Sequence, residues 1–252
     1  MGARLLIFKI ISLFPELISG LSSCGVIARA VERNLCALDA LNPRDFTVDN
    51  YRRIDDKTFG GGPGMVMKIE PLELALAAAK AALLQSGVVK SQVVYMSPQG
   101  QPLSQQLVNQ LSLEPGLIVV CGRYEGVDER FIERNVDVEL SIGDFVVSGG
   151  ELPAMLMLDG IIRQIPGVLN SSGSAVDESF MDGLLDYPHY THPREYCGMS
   201  VPEVLLSGNH EQIRRWRLQQ RLLRTQLRRP ELLNKLKLNP EQSRLLKEVM
   251  NK

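Results

Sequence analysis

Two clusters hold most of the residues that could do chemistry. One is Cys-Gly-Arg-Tyr-Glu-Gly at 121–126, the other Ser-Ile-Gly-Asp-Phe-Val-Val-Ser-Gly-Gly-Glu-Leu-Pro at 141–153. Each contains an apolar run, 117–121 leading into the first and 145–147 inside the second, that reads as a strand stopped by glycine. Glycine at a strand end removes the Cβ that would hold a ligand away from backbone N–H and C=O groups. One such cluster is ordinarily a tight turn. Two of them, carrying Arg123, Tyr124, Glu125, Asp144 and Glu151, predict a ligand cleft at the carboxyl edge of a sheet.

Two further groups lie later in the chain. Asp177 and Glu178 are adjacent carboxylates in the polar stretch 170–182, whose composition alone reads as a linker and a domain boundary. Along 211–229, helical spacing puts Ile213, Trp216, Gln220, Leu223 and Leu227 on one face. Arg214, Arg217, Arg221, Arg224 and Arg228 fall on the neighbouring face. A solvated charged face is the ordinary explanation of such a stripe. Five arginines in register without interleaved acids instead point to phosphate.

The elements that must position these groups alternate. Strands are expected at 7–13, 37–41, 92–96, 117–121 and 145–147. Helices are expected from Pro15, at 26–33, at 71–84 with Pro71 near its start, and at 104–111, 128–135 and 152–164. Alternation of this kind predicts a parallel α/β sheet. The glycine-rich strand ends, Ser97-Pro98-Gln99-Gly100 among them, come late in the domain. No G-x-G-x-x-G follows the first strand, which counts against the usual dinucleotide fold. The loop 47–64 carries Arg52, Arg53, Asp55, Asp56 and four glycines before apolar Met65-Val66-Met67. It lacks a phosphate-loop pattern, and an ordered loop of that length is expected to be functional.

Composition bounds the class. The 252 residues, 44% hydrophobic and 23% charged, suit a globular chain of one large or two smaller domains. Nothing approaches the run of about 20 apolar residues that spans a bilayer, so no membrane association is expected. Lys9 interrupts the first apolar run, which reads as a core strand and not as a signal peptide. Cys24, Cys36, Cys121 and Cys197 form no C-x-x-C pair and suggest a reducing, cytoplasmic setting, with Cys121 a packing residue. The net charge of −1 divides unevenly, −8 over 1–200 and +7 over 201–252, which suggests a polyanionic partner.

The motifs GRYEG, SIGDFVVSGGELPA, DDKTFGGGPGM, GLLDYPHYT and LLSGNHEQIRRWR, in their order along the chain, resemble the bacterial tRNA (guanine-N1)-methyltransferase family, TrmD. The resemblance implies a SPOUT-type parallel sheet domain with a C-terminal trefoil knot over 1–169. A flexible lid over 170–184 and a small helical tRNA-binding domain over 185–252 would follow. No periodicity could reveal a knot, which sequence arguments normally exclude.

The implied reaction moves the methyl group of S-adenosyl-L-methionine to N1 of the guanine 3′-adjacent to a tRNA anticodon. The implied cofactor residues are Tyr95, Met96, Ser97, Pro98, Gly122, Tyr124, Glu125, Ile142, Gly143, Asp144, Phe145, Val146, Val147, Gly149 and Gly150. Arg163 would stabilise charge on the guanine O6, and Glu178 or Asp177 would be the base. Arg214, Arg217, Arg221 and Arg224 would bind RNA. The family also admits Mg2+, although no spacing here defines a metal site, and it implies a homodimer. This chain departs from the family pattern at one place. An aspartate is expected immediately before Ser179-Phe180, where Glu178 stands, with Asp177 one residue earlier. A ribosomal RNA methyltransferase of the same class and a non-catalytic RNA binder are the competing readings. Retention of Arg163 and of the lid carboxylates argues against the second.

Overall fold

The computed structural model describes residues 5–169 and 178–250. The chain forms two compact units, Met1–Ser172 and Gly173–Lys252.

The first unit is built on a five-stranded sheet of β1 (Leu6–Ile11), β2 (Cys36–Leu41), β5 (Gln92–Pro102), β6 (Gly116–Cys121) and β7 (Val138–Ser141). Its order is β2-β1-β6-β5-β7 and every neighbouring pair is parallel. A parallel sheet covered on both faces needs nearly continuous apolar strands. β6, Gly-Leu-Ile-Val-Val-Cys, is buried throughout. Alternate residues divide between two cores. Phe8, Ile10, Leu117, Val119 and Cys121 pack with helices α1 (Pro15–Leu21), α2 (Gly25–Glu32), α4 (Gln105–Leu111) and α6 (Glu151–Ile162). Ile7, Ile11, Ile118, Val120 and Tyr95 pack on the other face with α3 (Ile69–Gln85) and α5 (Glu129–Asn135). Lys9 is tolerated within β1 because Asp39, its cross-strand partner in β2, pairs with it at 2.7 Å.

Three expectations are corrected. The run 145–147 is not a strand. The edge strand is β7, and Phe145 and Val146 lie in the loop after it, 57% and 83% exposed. Gly143, at φ +146°, turns the chain out of the sheet before the run begins. β5 does not stop at Met96 but continues to Pro102, with its pairing to β7 shifting between Met96 and Gln101. Loop 47–64 is partly a hairpin. β3 (Asp55–Lys57) pairs antiparallel with β4 (Met65–Met67), and the four glycines lie between the two strands.

The second unit contains a short hairpin of β8 (Glu195–Tyr196) and β9 (Met199–Ser200), followed by α7 (Glu203–Leu206), α8 (His210–Arg228), α9 (Pro230–Leu233) and α10 (Pro240–Met250). The hairpin turns through Cys197 and Gly198, both at positive φ, as a two-residue turn of matching twist requires. Its small core is Leu184, Leu222, Leu233 and Leu245, joined by Leu218 and Leu246. The apolar face expected on α8 is therefore displaced. Leu218, Leu222 and Thr225 face inward, whereas Leu227 is 68% exposed. α10 and the 184–185 segment supply the facing side chains, and they select one leucine pair among several that the spacing allows.

All four cysteines are free. Among the described residues no helix is long and apolar enough to cross a membrane.

Candidate active site

The carboxyl ends of three adjacent strands, β6, β5 and β7, open on one cavity of about 200 Å³. β5 contributes Tyr95, Met96, Ser97 and Pro98 to the wall. The segment after β6 contributes Gly122, Tyr124 and Glu125. The loop between β7 and α6 contributes Ile142, Phe145, Val146, Val147, Gly149 and Gly150. Gly143 and Asp144 were expected beside them but do not line the cavity. Gly143 is the turn itself, with its amide donating to Ser141 Oγ at 3.2 Å, and Asp144 is exposed. Arg123, one of the residues that mark the first cluster, is on the wall as well, and reading the sequence missed Gly126, Leu140, Ser141, Ser148 and Pro153. These are small or apolar and carry no signal of their own.

Close backbone approach is the reason for glycine at two of these positions. The Gly150 amide donates to the Gly122 carbonyl at 2.9 Å, and a Cβ on Gly150 would lie 2.8 Å from Cys121 Cα. A Cβ on Gly122 would lie 2.7 Å from the Tyr95 hydroxyl. Tyr95 is 6% exposed, and burial with Glu139 nearby pushes its phenol up to about 12, so it stays neutral. Burial, with Glu151 next in effect, holds the Cys121 thiol well above its usual range, as befits a packing residue.

The hairpin of β3 and β4 braces the opposite side. The Glu125 amide donates to the Met65 carbonyl at 2.9 Å. Gly64, at φ +90°, lies so close to the Glu125 side chain that a Cβ there would overlap it. Tyr124 adopts φ +59°, and its hydroxyl accepts from Arg44 at 3.3 Å. Burial and then Asp55 raise its phenol pKa.

Of the expected catalytic residues, Arg163 shares the unit with the cavity and does not line it. Arg163 follows α6, half-buried, its amide donating to the Asp159 carbonyl at 3.1 Å. Glu178 belongs to the second unit, where it opens a turn over 178–186, and Asp177 lies outside the described residues. That turn is fastened to α8. Arg221 donates to Asp182 at 2.9 Å and to the Leu185 carbonyl at 3.3 Å, and Thr225 Oγ1 accepts from the Leu185 amide at 2.9 Å.

The arginine stripe accordingly divides. Arg214 donates to Glu211 at 2.7 Å and to Glu241 of α10 at 2.6 Å, and Arg221 is occupied by Asp182. The acids that the helix itself seemed to lack come mostly from other segments. Arg217 stacks over the Tyr187 ring at 4.8 Å. Arg224 is half-buried and makes no ion pair among the described residues. Among the described residues no group of three or more His, Cys, Asp or Glu side chains gathers as a metal site would require.

The sequence model of one family, tRNA (Guanine-1)-methyltransferase TrmD, matches residues 6–235. The chain belongs to the TrmD family. It is 57% identical over 242 residues to a tRNA (guanine-N(1)-)-methyltransferase of Methylobacillus flagellatus, covering 96% of this chain and 92% of the relative. It is 58% identical over 238 residues to one of Chromobacterium violaceum, covering 94% and 93%. A third, of Dechloromonas aromatica, is 55% identical over 243 residues, with 96% of each chain covered. In TrmD terms, a mixed α/β chain with a central parallel sheet is the expected frame, and the cavity lies at its carboxyl edge.

Proposed function

We propose that this chain transfers the methyl group of S-adenosylmethionine to N1 of the guanine 3′-adjacent to a tRNA anticodon. The observation that carries this reading is the coincidence of family and cavity. A family named for tRNA guanine methylation here has a small-molecule cavity at the ends of three adjacent strands.

The residues present suit the donor. Ile142, Phe145 and Val147 offer an apolar slot for a purine, and glycine at 122, 149 and 150 leaves the backbone edge open. When bound, S-adenosylmethionine supplies an already activated methyl group. The chain's own task is then to position two partners and remove one proton. Backbone at 95–98, at Gly122, at Ile142 and at 145–147 would hold the donor, with Tyr124 and Glu125 bordering both it and the base. Arg163 stabilises negative charge on O6 as N1 is deprotonated. Glu178 accepts the proton, with Asp177 the alternative. Gly143 and Asp144 shape the loop from outside the cavity wall. No residue is assigned to magnesium, because among the described residues no group of three or more candidate ligands gathers.

The finer architecture follows the family: a knotted domain over 1–169, a lid over 170–184 and a tRNA-binding domain over 185–252. The knot rests on the family likeness; beside it, the chain after β7 returns to the Gly122 carbonyl, close enough that only glycine fits at 150. A cytoplasmic setting accords with four free thiols and a tRNA substrate.

A homodimer is supported by apolar side chains left exposed on packed neighbours, Phe14 and Leu17 at α1 and Leu152 and Leu156 on α6. Light scattering at micromolar concentration is expected to give twice the 28.0 kDa chain mass, and a fully active monomer would contradict it.

For RNA, Arg217 and Arg224 become the better phosphate ligands, because Arg214 and Arg221 are occupied within the unit. Replacing both by Ala is expected to weaken tRNA binding and flatten its log–log salt dependence by roughly 0.7–0.9 for each phosphate no longer neutralised. Donor affinity should be unchanged. An unaltered slope would return the stripe to a solvated face.

Calorimetry with S-adenosylmethionine tests the assignment of the cavity. Binding at one site per chain or per dimer supports it, and no binding would favour a non-catalytic RNA binder.

A further inference from the structure

Glu151 is completely buried, yet it is a carboxylate whose Oε2 accepts from Arg123 Nε at 2.8 Å. Its Oε1 accepts from the Ser12 hydroxyl at 2.8 Å, and Ser12 Oγ in turn accepts from the Phe14 amide at 3.0 Å. It stands in the first turn of α6, where the helix dipole favours negative charge. Burying such a pair rarely gains stability over an apolar packing of the same volume. Its use must lie in what it holds in place.

Arg123 shows what that is. Its guanidinium also donates through Nη1 to the Ser148 carbonyl at 3.1 Å and lies over the Phe14 ring at 4.3 Å. A Cβ on Gly149 would overlap the Arg123 side chain, so the loop is laid directly against it. One planar cation therefore ties three separate segments: the end of β1 through Ser12 and Phe14, the end of β6, and the irregular loop between β7 and α6. That loop forms a large part of the cavity wall and contributes no strand of its own.

We propose that Glu151 and Arg123 are a positioning pair that fixes the 142–150 wall before the methyl donor arrives. The proposal rests on the reading of the cavity as the donor site. Pre-setting the wall lowers the ordering cost of binding, so the pair acts mainly on donor affinity. Arg123 is chosen over lysine because two acceptors in different directions need a planar fork. An ammonium keeps the ion pair with Glu151, but its single nitrogen replaces the two, Nε and Nη1, that now reach Glu151 and Ser148 separately.

The test is Arg123→Lys in the full chain, with S-adenosylmethionine as probe. The variant should melt within a few degrees of the parent, because the buried charge keeps a partner. Its Kd and KM for S-adenosylmethionine should rise by about tenfold, with kcat at saturation falling less than threefold. Amide exchange without ligand should quicken over 142–149 and not in β1 or β6. Glu151→Gln, if it folds, should show the same pattern; if it does not, Arg123→Lys decides alone. Parent-like affinity and exchange in Arg123→Lys would overturn the proposal. So would a loss of affinity accompanied by faster exchange throughout the unit. If the parent itself bound no S-adenosylmethionine, the reading of the cavity would fail. The exchange comparison, which needs no ligand, would still decide whether the pair fixes the loop.

Discussion

Glu178→Gln is expected to slow methyl transfer at least about a hundredfold while leaving S-adenosylmethionine affinity unchanged. General base catalysis contributes roughly 10²–10⁴ in rate, and an amide of the same shape cannot accept the N1 proton. Asp177→Asn is expected to cost less than tenfold. The ranking follows from position, because Glu178 stands immediately before Ser179-Phe180, where the family pattern places an aspartate. The structure adds a physical reason for a defined position. Glu178 opens a turn that is pinned to α8 through Asp182 and Arg221 and through the Leu185 amide and Thr225. The Asp186 amide also donates to Ser179 Oγ at 2.9 Å. The longer glutamate has one methylene more to place, and a misplacement of about 1 Å can cost on the order of a hundredfold. Glu178→Asp therefore separates two cases. A faster variant would mean that the natural chain carries a slower base than its family pattern. Single-turnover kinetics on tRNA decide the ranking, and the reverse order would give the role to Asp177.

Gly122→Val is expected to weaken S-adenosylmethionine binding by roughly a hundredfold. A side chain here first meets the chain's own wall. Its Cβ would lie 2.7 Å from the Tyr95 hydroxyl and 3.0 Å from the ring. Tyr95 is buried in the core between β6 and α3, so neither partner can yield without disturbing the cavity edge. Overpacking of this sort costs about 1–3 kcal/mol, which corresponds to roughly 5- to 150-fold if it is all expressed in the bound state. Gly122→Ala should show a smaller loss, and adding Tyr95→Phe should recover part of it by removing the hydroxyl. Recovery in the double variant, read by calorimetry, would identify the clash as the cause. Normal binding by Gly122→Val would mean that the cavity edge at β6 does not shape the donor site.

Much of the sheet was legible because buried parallel strands are continuous apolar runs bounded by glycine, as 117–121 is. β7 was not legible. Val-Glu-Leu-Ser carries only two apolar residues, and its place at the edge is set by pairing with β5 across some forty residues of chain. The neighbouring run at 145–147 is more apolar and drew the assignment, yet its side chains line a cavity instead of a core. The same mechanism misplaced the inner face of α8. Several leucines satisfy helical spacing, and only the approach of α10 and Leu184 selects Leu218 and Leu222. The site was legible where glycine signals close approach, at 122 and 149–150. It was illegible where an arginine's role depends on a distant acid. Arg123 and Glu151 are 28 residues apart, and Arg221 and Asp182 are 39 apart. No pattern in the sequence distinguishes a cation that awaits a phosphate from one already paired.

The central claim is guanine-N1 methylation of tRNA, and the most direct measurement is methyl transfer to a defined transcript. An unmodified tRNA transcript with guanine 3′-adjacent to the anticodon is incubated with the protein and labelled S-adenosylmethionine. The same transcript with adenine at that nucleotide serves as its pair, and digestion identifies the modified nucleoside. The expected result is one methyl group per guanine transcript, recovered as N1-methylguanosine at that nucleotide, and background incorporation with adenine. Equal labelling of both transcripts, or label recovered at another atom or nucleotide, would contradict it.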